Sequence, residues 1–289
     1  MESVLFAFDE WLRGAIADGI IWNFTGLLDS AQDSVDEVAG QVSMSPATFS
    51  PGVFNMIQTI SDNVILPVAG MVLTFIACIE LIQMIIDKNN LHDLDTWMFF
   101  KWIFKTSVAI LIVSNTFNIV LAVFDVTGTV ITQSAGLVNQ QMNANAFDLD
   151  AFKDELMTIP EPAKLMGIWL QSFLLRIGIR ILSLFVSLIV YGRMIEIYMM
   201  TSLAPIPLAT MANHEQGQMG QNYLRSMFAL GFQGFLMLIC IGIYGVLIRN
   251  IANETDIVKA FFGMFGYLIL LCISLFKTGS VAKSILSAH

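Results

Sequence analysis

The run Val64–Ile86 holds 23 residues with one charge, Glu80, and one proline near its start, Pro67. At ~1.5 Å rise per residue a helix over this run reaches about 34 Å, enough to cross the hydrocarbon core of a bilayer. In lipid every backbone N–H and C=O must be paired within the segment, so such a run folds as a helix. Four further apolar runs follow, at about 106–124, 174–200, 226–248 and 257–276. Of 289 residues, 56% are hydrophobic and only 13% charged, where an ordinary soluble domain has roughly 25%. One soluble core does not enclose that excess. The fold class is therefore all-α: a polytopic transmembrane helical bundle of about five spans over residues 64–289.

Residues 1–63 form a different segment. They carry nine carboxylates and one base, Arg13. Val4, Leu5, Phe8, Trp11, Leu12, Ala15 and Ile16 recur at three- and four-residue steps, which predicts an amphipathic helix. It lies either on the membrane surface or on the protein's own spans. Residues 29–63, punctuated by Ser45-Pro46 and Ser50-Pro51, read as a linker on an aqueous face. The acidic start does not match a cleavable signal peptide. Basic residues favour the cytoplasmic side of short loops. The lysines of 87–105 and 277–289 accordingly place residues 1–63 and the polar stretch 125–173 on the extracytoplasmic side. That stretch, with its breaker Pro160-Glu161-Pro162, reads as a loop.

Ionisable groups inside spans are costly and functional by default. Glu80 lies about two-thirds along the first span. Arg176 and Arg180 share a helix face and suit snorkelling to headgroups. Arg193 and Glu196, three apart, are placed to pair. Pro205 and Pro207 then break the helix, so 198–213 reads as a broken or re-entrant segment. Gly231, Gly234, Gly242 and Gly245 fall within a face of ~80° on the fourth span, and small residues let helices approach closely in lipid. Gly263 and Gly266 extend that pattern to the fifth.

No catalytic, cofactor-binding or metal site is legible. His214-Glu215 starts like a zinc-protease helix, but Gln218 stands where the second histidine belongs. His92 among Asp87, Asp93 and Asp95 reads as a solvated loop. Cys78, Cys240 and Cys272 all lie in apolar runs without ligand spacing. There is no nucleotide-binding loop and no Gly-x-Ser-x-Gly. A net charge of −9 argues against a basic nucleic-acid face.

The run Leu203-Ala204-Pro205-Ile206-Pro207-Leu208-Ala209-Thr210-Met211 leads through His214-Glu215 and Tyr223-Leu224 to Phe232-Gln233-Gly234. With the acidic start, the long polar stretch and the Gly-rich spans, it resembles the TrbL (VirB-six-like) membrane subunits of conjugal transfer and type IV secretion systems, over about residues 50–280. In size the chain is similar to the versions in Gram-positive conjugative elements. The resemblance implies a channel or scaffold subunit in a bacterial cytoplasmic membrane. It further implies self-assembly, other transfer-system membrane proteins and separate ATPases as partners, with nucleic acid only as transported substrate. A secondary transporter with its substrate site at the Pro205–Pro207 break is the other reading.

Overall fold

A computed structural model describes residues 2–86, 96–143, 149–213, 216–252 and 257–288. Both histidine motifs, at His92 and at His214-Glu215, lie outside the described residues. The elements are α1 (Glu2–Ser43), α2 (Pro46–Phe49), α3 (Pro51–Ile60), a π-turn (Ser61–Ile65), α4 (Leu66–Ile86), α5 (Thr96–Ser114), α6 (Thr116–Asn143), α7 (Leu149–Met157), α8 (Pro162–Leu203), α9 (Pro205–Thr210), α10 (Gly217–Ala252) and α11 (Ile257–Ile285). No strand occurs among the described residues. The chain is an all-α polytopic protein.

Several prolines that read as breakers start helices instead. Pro46 and Pro51 open α2 and α3, and Pro162 opens α8. Proline suits the first helical position because its fixed φ is helical and its missing N–H is unpaired there anyway. The expected linker 29–63 is therefore helical through Ser43 and again from Pro46. Pro67 acts differently. Its ring clashes with the carbonyl four residues back, Asn63, and that carbonyl sits in the π-turn, where Leu66 N–H reaches back five residues to Ser61 O.

Six helical stretches are long and apolar enough to cross a membrane: Pro51–Ile86, Thr96–Ser114, Thr116–Val138, Pro162–Leu203, Gly217–Ile248 and Phe262–Ile285. The extra one arises because the run 106–124 straddles a break at Asn115. No loop separates the two halves. Asn115 N–H donates to Leu111 O and Ile119 N–H to Asn115 O, so α5 leads directly into α6. The stretch 125–173, read as a loop, is helical in α6, α7 and the start of α8. Its Gln, Asn and Thr residues disfavour lipid but not a helix, whose backbone bonds are internal. Thr129 donates its hydroxyl back to Asp125 O at 2.9 Å.

The chain divides into two compact units. The first comprises Met1–Gln41, Ile131–Val190 and Leu236–Thr278. Here α1 packs on the protein, burying Ile16, Ala17, Ile20, Phe24 and Leu27 while Phe8 and Trp11 stay exposed. The buried face thus begins where the predicted apolar face ends. Asn23 donates to Ser172 Oγ at 2.9 Å, and the Arg176 guanidinium lies 3.4 Å from the centroid of the Trp22 ring. Arg180 is exposed. Asp18 binds Lys153 of α7 at 2.6 Å. Its hydrogen bond, then its charge, push the Lys153 ammonium above the ordinary lysine range.

The second unit comprises Val42–Val130, Tyr191–Phe235 and Gly279–His289. One apolar cluster gathers Phe54, Phe117, Phe124, Met194, Leu208 and Met227. A second gathers Ala69, Leu73 and Ile76 of α4 with Ala109 and Val113 of α5 and Ala209 and Ala212. Outside the clusters, large apolar side chains such as Phe104 and Leu184 face outward, as in a protein solvated by lipid. The apolar stretch of α10 is the most enclosed, 56% buried where the other five lie between 11% and 28%.

Candidate functional site: a buried arginine and two ion pairs

Arg193 is 4% exposed. Its Nε donates to Leu230 O at 2.8 Å, Nη2 to Gly231 O at 3.3 Å and Nη1 to Val42 O at 3.5 Å. Three helices of the second unit meet at this one guanidinium: the end of α1, α8 and α10. A rigid fork of five donors suits such a junction, since it serves carbonyls in different directions. Val42 lies in the last turn of α1, which holds no base of its own. The negative end of the helix dipole is therefore met by Arg193 from another helix. Tyr198, further along α8, holds the next corner by donating to Pro46 O at 2.8 Å.

Glycines close the same junction. A Cβ on Gly231 would lie 2.7 Å from Thr127 Cγ2, and a Cβ on Gly128 would lie 2.7 Å from Ser43 O. In the first unit, a Cβ on Gly242 would lie 2.8 Å from Val138 Cγ1. Gly234 and Gly245 are buried as well. Gly231, Gly234, Gly242 and Gly245 of α10 are thus enclosed by the protein. Gly266 of α11 is exposed, with open space around its Cα.

The expected Arg193–Glu196 pairing is absent. Three residues further along α8, Glu196 turns to α11 and accepts from Lys283 at 2.9 Å. Glu80 likewise pairs across helices, accepting from the Lys105 ammonium of α5. Each carboxylate is thus neutralised by a lysine on another helix, which lowers the cost of an ion near lipid.

The proline break is real and its backbone groups are served. Ala204 N–H donates to Thr201 O at 3.2 Å rather than to Met200 O. Met200 O instead accepts from the Tyr223 hydroxyl at 3.2 Å. Pro205, Leu208 and Ala209 are buried, and Pro207 is half-buried. Sequence reasoning missed Tyr223 as the residue that satisfies the break, and Thr127 and Gly128 as its neighbours in the junction. Only a close-contact partner gives these residues meaning, and a sequence carries no sign of one. Among the described residues no group of three His, Cys, Asp or Glu side chains is placed to hold a metal ion.

The long apolar helices, the outward-facing apolar side chains and the cross-helix ion pairs define a multi-pass membrane protein. Residues 31–205 match the family described as TrbL/VirB6 plasmid conjugal transfer like protein. The chain belongs to this family, and is a membrane component of a conjugal transfer or type IV secretion system located in the cytoplasmic membrane. The match begins within α1, N-terminal to the run that carries the resemblance, and ends at Pro205. No curated protein and no solved structure matches the chain.

Proposed function

We propose that the chain is a channel or scaffold subunit of a conjugal DNA-transfer apparatus, without catalytic activity of its own. The observation that carries this is the family match over residues 31–205. The interior supports it. Several of its polar groups join helices: Arg193 meets carbonyls, Glu80 and Glu196 meet lysines and Tyr223 meets the proline break. A permease would need polar groups free to meet a substrate at the broken helix. Here Leu208 and Ala209 of α9 instead enter the apolar clusters. Energy for transfer comes from separate ATPases, and self-assembly supplies any conduit. The polar residues 139–161, between the stretches Thr116–Val138 and Pro162–Leu203, meet other parts of the apparatus.

Photo-activatable cross-linkers placed on exposed positions of this stretch, such as Asp150, Asp154 and Thr158, test the reading in mating-competent cells. The expected products are adducts with other transfer proteins and with a second copy of the chain. Adducts with lipid or DNA alone would contradict it.

A further inference from the structure

The α4–α5 hairpin carries a groove that neither the family nor the transfer role assigns. Its upper part, a cavity of about 440 Å³, is lined by Leu66, Gly70, Leu73, Ala77, Ile110 and Val113 among others. Its lower part, about 490 Å³, is lined by Glu80, Gln83, Met84, Lys101, Trp102 and Lys105 among others. Trp102 lines both, so the two adjoin along the hairpin on either side of its ring. From Leu66 to Met84 the groove runs about 27 Å along α4, close to the thickness of the hydrocarbon core.

The two ends differ in chemistry. The upper stretch is largely apolar, and Gly70 leaves open space where a side chain would stand. The lower stretch has two lysines against one glutamate. Lys105 is engaged by Glu80. Lys101 is exposed, 5.8 Å from the Trp97 ring centroid, and has no carboxylate at ion-pair distance among the described residues. Trp97, Phe100 and Phe104 stand exposed around it, a pattern of aromatic and basic residues suited to the membrane–water interface. The Trp102 indole is tied to Ala77 O at 3.1 Å, which fixes the wall between the two stretches.

We propose that this groove binds an acidic phospholipid, its phosphate at Lys101 and one acyl chain along the Gly70 stretch. Basic pockets between membrane helices bind anionic headgroups, and the apolar continuation distinguishes a lipid from a free phosphate.

Native mass spectrometry of the delipidated full chain, titrated with phosphatidylglycerol or phosphatidylcholine, tests this. Phosphatidylglycerol is expected to be retained preferentially. Lys101→Gln should weaken its binding about fivefold, the contribution of one basic residue near an anionic surface, while Lys101→Arg keeps it. Gly70→Leu should abolish retention by filling the apolar stretch, with helical content and thermal midpoint at or above wild type. Glycerol phosphate at millimolar concentration should not compete. Equal retention of both lipids, unchanged binding in either Lys101→Gln or Gly70→Leu, or displacement by glycerol phosphate would each overturn the proposal. So would a disulfide between second copies through Gly70→Cys, which would make the groove a protein contact.

Discussion

Arg193→Ala is expected to destabilise the protein by about 2–4 kcal/mol, from hydrogen bonds to a charged donor and a cavity at a buried site. Val42 O loses the donor that meets the end of α1, and the space beside Leu230 and Gly231 is emptied. The carbonyls of Leu230 and Gly231 lie mid-helix and keep their backbone partners, so the loss concentrates at the α1 end. Arg193→Lys should be little better than alanine, because a buried ammonium cannot fork to three carbonyls. Arg193→Met should be milder, since it keeps volume and removes the charge together with its bonds. Thermal unfolding of the purified protein in one detergent ranks the three, and proteolysis around Ser43–Pro46 reports whether the α1 corner has come loose. If the alanine variant melts within about 0.5 kcal/mol of wild type, the range of an ordinary surface change, the guanidinium is not what joins these helices.

Gly231→Leu should have the second large effect. The nearest atoms to a new Cβ belong to Thr127, which is 2% exposed. Its hydroxyl is bonded to both Val123 O and Phe124 O at 3.1 Å, so the side chain cannot rotate away without losing those bonds. The helices must separate instead, at a cost of about 1–3 kcal/mol or more for overpacking. Thr127→Ala in the same chain should recover much of that loss by removing the two closest atoms. Gly266→Ala is the contrasting control: with open space around it, alanine should raise stability by up to ~1 kcal/mol through helix propensity. Melting of these variants side by side with wild type decides the matter. Equal loss at Gly231 and Gly266 would mean that these glycines serve something other than close packing in the chain.

How far the sequence reveals this protein depends on the range of the interaction. Apolar run length is a local property, so four of the six lipid-crossing stretches and the Pro205–Pro207 break are legible in the order of residues alone, whereas the run 106–124 merges two stretches that part at Asn115. Polar composition is a weaker guide, because a helix satisfies its own backbone in water as well as in lipid. That is why residues 125–143 read as a loop yet continue α6. Prolines carry position-dependent meaning: Pro46, Pro51 and Pro162 start helices, whereas Pro67 forces a π-turn. The candidate site is legible as residues but not as contacts. Arg193 and Glu196 stand three apart, a spacing that predicts a pair. Glu196 instead meets Lys283, and Arg193 meets the carbonyls of two other helices. Those partners lie 37 to 151 residues away, and helical periodicity cannot select among them. The same holds for Gly128, whose need to be glycine comes from Ser43 O.

Conjugation itself tests the central claim most directly. Transfer frequency is measured from donors whose transferable element lacks this gene, with wild-type or Arg193→Ala protein supplied in trans and membrane levels matched by immunoblot. Deletion is expected to abolish transfer without affecting donor growth, wild type to restore it, and Arg193→Ala to restore it poorly. Transfer at normal frequency from the deletion donor would contradict the assignment of this protein to the transfer apparatus.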